Sequence, residues 1–555
     1  MANKLLFKAA PPGRQVPFTD AVNHESAPAY SMTPEQTLAQ LASTGCLNQT
    51  FYVSGEEQLA VALDAAAKCS PMFVAKTAVW ARERAFMKDM PALLVAHIAC
   101  RTDAADVLPR ALRVIDNGKM LRNVVQILRS GQLGRKSIPR PVRRFIRKAL
   151  VTASPETLLR WSVGDKPSLG DIIAMVHPKP DTQERAYLLG WLRANTKQPA
   201  VPREVLPQVV RQYLDFCDPE KPDVEAPDVP WEMLTRLPLT EDGWVRLAKS
   251  MRWHALRMNL NTLQRHAVFT DAAMVADVAA RLRDAETIRK SRVFPYQLLA
   301  AYLNTDGVPV KIREALQDAL EVATEAVPTL PPTALCVDVS GSMQSAITGS
   351  RHGATSKVRC VDVAGLIASC LLRKSPESAV FPFDTTLHEA GINPRDTVMT
   401  NAQTLAALGR GGTACSVPLA RLNEVAASYP LVIYVSDNES WADGDATGPM
   451  GASVAQAMAY FKMYGAQWSG NFNPAQWQNY QGAMMREWRQ YEQRVRGAKL
   501  VLIDLTPNAT SQAVEEPNIL RVGGFSDAVF GLVADFVAGR MSADHWVGKI
   551  NEVEL

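Results

Sequence analysis

Between residues 33 and 325 apolar side chains recur every three or four positions, and past residue 331 they run in solid blocks separated by amphipathic stretches. The first pattern predicts helix after helix, among them DMPALLVAHIAC, LPRALRVI, MLRNVVQILRS, PRPVRRFIRKAL, SLGDIIAMV, EVLPQVVRQYLDF, GWVRLAKSMRWHALRMNL and KIREALQDALEVA. Start signals agree with it. Thr33 and Ser54 each stand three residues before Gln or Glu, the spacing of a capping box, and Ser70 and Ser154 each precede a proline. Short antiparallel helices with brief loops point to a solenoid of helical pairs. No strand is expected before Pro331. Residues 1–30 lack a sustained period and read as an extended arm, and Asp215 to Pro230 reads as an internal loop.

The prolines of AVPTLPPT end the last helix and open the second pattern. LCVDVS, SAVFPF, LVIYVS and KLVLIDL are strand blocks, alternating with helices such as KVRCVDVAGLIASCLLRK and VPLARLNEVAAS and followed by a final helix SDAVFGLVADFVAGR. This βαβ order implies a parallel sheet covered on both faces. The fold class is therefore α plus α/β multidomain. The boundaries read as 1–30 for the arm, 31–330 for the helical repeats and 331–555 for a doubly wound α/β domain.

One stretch in the second half carries chemistry. In Leu335 to Met343, LCVDVSGSM, the strand ends on Asp338 and places Ser340 and Ser342 at alternate positions, so that one carboxylate and two hydroxyls turn toward a common point. Gly411-Gly412-Thr413 adds a hydroxyl on a flexible loop, and LVIYVS delivers Asp437 at a second strand end. Ligands at the carboxyl ends of parallel strands suit an open doubly wound sheet. Hard oxygen donors select Mg²⁺. Without His or Cys in the set, zinc is disfavoured.

The charge is uneven. Residues 1–330 hold 43 Lys and Arg against 35 Asp and Glu, whereas residues 331–555 hold 17 against 21. Asn117 to Pro155 contains ten basic residues and no acidic one. Within it, Arg129, Arg135, Lys136 and Arg140 lead into a helix whose Arg143, Arg144, Arg147 and Lys148 share a face by the i, i+3, i+4 rule. A cationic face with no acidic partner is either a solvated surface or the docking site of an anion, of which nucleic acid is the commonest large one. His177 ends the next apolar helix beside Lys179 and reads as a structural terminus or a ligand contact. Trp468, Phe472, Trp477, Tyr480, Trp488 and Tyr491 are interleaved with Gln and Asn, and either pack inward or stack on bases. No apolar run is long enough to span a bilayer. The eight cysteines form no CxxC pair and sit in apolar patterns, which suggests the reducing cytoplasm.

Asp338, Ser340, Ser342, Thr413 and Asp437 resemble the metal-ion-dependent adhesion site of von Willebrand factor A domains. A helical-repeat front half joined to such a domain is similar to the Ro autoantigen family of TROVE-domain proteins. GCLNQTFYVSGEEQL, RSGQLGRKSIPRPVRRFI and SLGDIIAMVHPKP resemble three TROVE segments in order, and VDVSGSM, GRGGTACS and YVSDNESW resemble the family's metal-site pieces. The resemblance implies a monomeric ring of HEAT-like repeats closed by the A domain. It implies a noncatalytic, cytoplasmic RNA-binding protein that takes a small noncoding Y-like RNA on the ring's outer surface, near Arg160, Lys166, His177 and Lys179. It further implies that the hole receives single-stranded ends of misfolded RNA, with an exoribonuclease as a partner. In place of a second basic residue of the family, this chain has Gly164-Asp165-Lys166. The competing expectation is a protein-interaction adaptor whose metal site captures a partner's carboxylate. An enzyme ranks below both, since no base neighbours the site and His352 and His388 stand apart.

Overall fold

The structure is a computed structural model that describes residues 14–194, 201–218, 221, 224–350, 356–443, 481–526, 528–541 and 544–555. The chain divides into two compact units: residues 66–323 with 550–555, and residues 1–65 with 324–549.

The first unit is helical. Side-chain caps start its helices where the sequence places them: Ser70 accepts from Phe73 N, Asn117 from Met120 N and Ser154 from Thr157 N, while Ser168 and Asp171 form a capping box. The helix Gly118–Ser130 buries Met120, Leu121, Val124, Val125 and Leu128, a stripe of helical period facing its neighbours. In contrast, Arg140–Thr152 buries only Val142, Ile146 and Leu150 and leaves its basic residues outward or at the margin. Two long helical runs break. Pro207 separates Arg203–Val205, a single 3₁₀ turn, from Gln208–Phe216. Glu241–Ser250 and Trp253–Arg265 are parted at Met251, whose extended backbone (φ −60°, ψ 130°) is fixed because Arg281 donates to the carbonyls of Ala248 (3.0 Å) and Met251. Phe86 meets Phe294 with ring centroids 4.6 Å apart, so the early and late helices of this unit touch.

The second unit is built on a five-stranded parallel sheet in the order β4-β3-β5-β6-β8. The strands are β3 (Thr333–Asp338), β4 (Ala379–Phe383), β5 (Leu431–Ser436), β6 (Lys499–Asp504) and β8 (Ile519–Gly523). Every residue of β3, β5 and β8 is buried, as a doubly covered parallel sheet requires. The block reading misses β8 because it carries Arg521, a cation that a buried strand ordinarily excludes. Arg521 is accepted there because Gln36 Oε1 (2.7 Å) and Glu515 (3.6 Å) receive it. The helix Val398–Ala406, whose polar TNAQT stretch hides its apolar face, was likewise not expected.

Residues 14–65 overturn two expectations. They contain strands, β1 (Ala21–Val22) and β2 (Pro28–Ser31), and β2 pairs antiparallel with β7 (Thr510–Ser511). Strands of two and four residues have no periodicity to read, and β7, the outer partner of β2, lies about 480 residues further along the chain. The segment is not a free arm: Tyr30 is 3% exposed, packs with Trp488 and Tyr491, and donates to Pro17 O (3.0 Å). The helix Pro34–Thr44, assigned from sequence to the repeats of 31–330, belongs to the α/β unit, where Gln40 donates to Thr506 O (3.0 Å). Period alone predicted the helix but could not say what it packs against.

Of the aromatic-rich segment, Trp488 and Tyr491 are fully buried, stacked 5.7 Å apart in the core of this unit, and Tyr491 Oη donates to Tyr429 O (2.9 Å). Trp468, Phe472, Trp477 and Tyr480 lie outside the described residues, as does His352. All eight cysteines are free thiols. Among the described residues no helix is long and apolar enough to cross a membrane.

Because Tyr30 ties the N-terminal segment to the core, Tyr30→Ala should destabilise the α/β unit by about 3–4 kcal/mol, and Tyr30→Phe by about 1 kcal/mol. Chemical denaturation checks the ranking. A loss below about 1 kcal/mol for the alanine variant would show that residues 14–31 add nothing to the core.

Candidate metal centre and basic surface

β3 and β5 are adjacent and parallel, with Val337 opposite Val435, so both release their chains at one edge and bring Asp338 and Asp437 together. Asp338 is held from two sides: its Oδ1 accepts from Ser340 N (2.9 Å) and its Oδ2 from Ser436 Oγ (2.5 Å). Ser340 Oγ lies 3.2 Å from Ser342 Oγ, and the Ser342 hydroxyl in turn donates to Asp437. Gly341 N donates to Gly411 O (2.8 Å), which fastens the Asp-x-Ser-x-Ser loop to the glycine loop. Thr413 O accepts from Trp441 N (3.0 Å) and Ala442 N (2.9 Å), which fastens the glycine loop to the segment after Asp437. Glycine is required in that loop for space. A Cβ on Gly411 would stand 2.8 Å from Asp384 Oδ2, and one on Gly412 would stand 2.3 Å from the Trp441 ring.

Asp338, Ser340, Thr413 and Asp437 are at most 1% exposed and Ser342 is 6% exposed. Burial drives the carboxyl of Asp338 above its usual range against the pull of the Ser436 and Ser340 hydrogen bonds, and Asp384 adds to the rise. Burial likewise raises Asp437, and the neighbouring Asp338 raises it further. Glu439, also fully buried, is pushed up by burial and by Asp437, and its Oε2 accepts from His24 N (2.9 Å). Two facing buried carboxyls repel each other when both are charged, and a divalent cation would be favoured between them. Among the described residues no group of three or more His, Cys, Asp or Glu gathers to hold a metal; the expected donors beyond Asp338 and Asp437 are the hydroxyls of Ser340, Ser342 and Thr413. The nearby thiols do not fit: burial raises Cys360 to about 12 and Cys415 well above its usual value, leaving both neutral.

Sequence reasoning did not single out four residues around this point. Tyr52 faces the Ser342 hydroxyl and, with Glu25, Arg410 and Trp441, lines a cleft of about 450 Å³ that reaches Ser342 and Thr413. Their signal was present but mute: an aromatic pair before a capped helix, an arginine inside a glycine loop, a tryptophan after the second aspartate.

In the helical unit, Arg129, Arg135, Lys136, Arg140, Arg144, Arg147, Lys148, Arg160, Lys166, His177 and Lys179 are exposed. Arg143 departs from the expected uniform face, being partly buried with its Nε enclosed and without a partner. Arg147 donates to Val176 O, which joins the basic helix to the turn bearing His177. His177 closes Leu169–Val176 in a left-handed conformation (φ 50°), which turns it out of the helix beside Lys179. Among the described residues none of these twelve forms an ion pair. They hydrogen-bond neutral groups instead, as Arg129 does Met175 Sδ (3.3 Å) and Arg135 does Ser137 Oγ (3.1 Å).

The fold and site define a helical-repeat protein carrying an A-type α/β domain, and known proteins agree. Residues 225–339 match the TROVE domain and residues 333–451 match the Ro60 vWA domain. The RNA-binding protein RO60 of Deinococcus radiodurans is 27% identical over 461 residues, covering 76% of this chain and 83% of the relative. The protein of the same name from Caenorhabditis elegans is 27% identical over 184 residues, 31% of this chain and 28% of that one. In fold, the crystal structure of the Deinococcus radiodurans RO (RSR) protein superposes with a TM-score of 0.60 at 22% identity, covering 92% of this chain and all of that one. In both of its matched regions the chain is similar to the Ro family of TROVE-domain proteins.

The raised carboxyls fix a pH dependence. A carboxyl whose folded pKa exceeds its unfolded value near 4 binds protons on folding, so without metal the α/β unit should lose stability as pH rises above that value. Mg²⁺ should reverse the loss at pH 8 and act little at pH 5, while Asp437→Asn should be more stable than wild type at pH 8 in EDTA and give no Mg²⁺ response. Melting temperatures in EDTA and in Mg²⁺ at both pH values check this. Equal Mg²⁺ shifts in wild type and variant would remove these residues from any metal site.

Proposed function

We infer that the protein is a noncatalytic RNA-binding component of a ribonucleoprotein. A small noncoding Y-like RNA docks on the basic surface of the helical unit, and single-stranded ends of misfolded RNA are held apart from it in a ring of helices, in RNA quality control with an exoribonuclease as partner. The observation that carries the reading is the exposed cationic surface from Arg129 to Lys179, whose basic residues form no ion pair among the described residues; a surface neutralised by ion pairs would have less need of phosphate. The relatives named RNA-binding proteins support it. Asp338, Ser340, Ser342, Thr413 and Asp437 would hold Mg²⁺, which when bound supplies an attachment point for an anionic oxygen. Cytoplasmic residence and a monomeric state complete the proposal.

The exposed residues of the basic helix give the cleanest test. Replacing Arg140, Arg144 and Lys148 by Gln removes three phosphate contacts at about 0.7 counterion each, so the slope of log affinity against log salt should fall by about two. Folding should survive, since exposed unpaired cations contribute little to stability. Arg143 and Arg147 are poorer choices because they pack against their surroundings. An unchanged slope in a folded variant would leave this helix as solvated surface.

Arg160→Ala with His177→Ser should weaken a folded small RNA about tenfold and a single-stranded tail little, because a structured RNA is bound by shape and backbone and a tail by a charged channel. Competition between the two RNA classes decides it, and equal loss for both would collapse the two-surface model.

A further inference from the structure

The cleft lined by Ser342 and Thr413 has no part in RNA binding by the basic surface. Ser342 and Thr413 reach it from below, and its other lining residues include Phe51, Tyr52, Trp441, Arg410 and Glu25. They form a set with one chemistry. Phe51 is 53% exposed and meets Tyr52 edge-on with centroids 4.8 Å apart. Tyr52 is fixed from behind by His24, stacked at 5.8 Å. The segment carrying both rings is anchored to the loop after the serines: Gln49 and Ser350 exchange backbone hydrogen bonds (3.1 and 2.7 Å), and Asn48 donates to Thr348 O (2.8 Å). Arg410 is exposed and sits at φ +115°, a region that a non-glycine side chain enters at a cost and that collects at functional sites.

We propose that this cleft is a nucleotide subsite that takes the terminal ribonucleotide of an RNA. The phosphate oxygens bind Arg410 and the divalent cation of the site, the base lies against Phe51 and Trp441, and Glu25 accepts from the ribose hydroxyls. The subsite rests on the metal reading above. About 450 Å³ falls within the range of small-molecule sites. An arginine fork matches phosphate geometry, aromatic faces accept any base, and a carboxylate is the acceptor that dinucleotide-binding folds use for a ribose hydroxyl. The alternative occupant, a carboxylate from a partner protein, would satisfy the cation but leave the rings unmatched and would face Glu25 with like charge. Reading the 2′-hydroxyl would also distinguish RNA from DNA at this point.

Calorimetry on the full chain tests the proposal with Mg²⁺ alone, then with adenosine 5′-monophosphate in Mg²⁺ or EDTA. The expected results are Mg²⁺ binding, nucleotide binding only in Mg²⁺, a loss of about tenfold or more in Arg410→Ala, and a smaller loss in Phe51→Ala. Glu25→Gln should erase the preference for the ribonucleotide over its 2′-deoxy form, while unchanged Mg²⁺ binding shows that each variant is folded. If Mg²⁺ binds but the nucleotide does not, or if acetate displaces the nucleotide and Arg410→Ala has no effect, the subsite is wrong and a carboxylate receptor takes its place. If Mg²⁺ itself does not bind, the metal reading and the subsite fall together, while RNA binding by the basic surface stands or falls on its own salt slope.

Discussion

The α/β unit holds Asp338 and Asp437 side by side and out of water. Moving carboxyls out of water raises their pKa, and placing them together raises it again. What sustains the arrangement is geometry. Adjacent parallel strands end in register, hydroxyls and backbone N–H groups hold the Asp338 oxygens, and two glycines let the third loop close over Asp384 and beneath Trp441. A fold stabilised elsewhere by burial of apolar strands can carry such a locally unfavourable site.

The second dependence is the chain's early segment. Residues 14–65 are as much part of the α/β unit as its strands are: β2 adds an edge partner to β7, Tyr30 joins the aromatic core, and Gln40 and Gln36 reach Thr506 O and Arg521. The same segment brings Glu25, Phe51 and Tyr52 to the mouth of the site. Part of the character of that mouth is thus set by residues distant in sequence from Asp338, Ser340, Ser342, Thr413 and Asp437, and part by Arg410 and Trp441 close to them.

The helical unit solves the opposite problem. Its basic helix spends only a narrow apolar stripe, Val142, Ile146 and Leu150, on packing, which frees the remainder for cations. Repulsion among them is tolerated because most point into water, where charges are screened. Arg143 and Arg147 are the exceptions that connect this surface to the interior and to the His177 turn.

The sequence by itself determined most of what is local. Capping residues and prolines marked helix starts, unbroken apolar blocks marked four of the five parallel strands, and the aspartates at strand ends with alternating serines marked the site, because each is a property of a few consecutive residues. What only the tertiary structure decided depends on partners far along the chain. β1 and β2 exist because they pair, β8 escaped notice because Arg521 finds its acceptors in three dimensions, and Trp488 and Tyr491 are core because the sheet covers them. Tyr52, Arg410 and Trp441 were legible as residues but not as a cleft, since no spacing in the sequence says which loops the parallel sheet will bring to one edge.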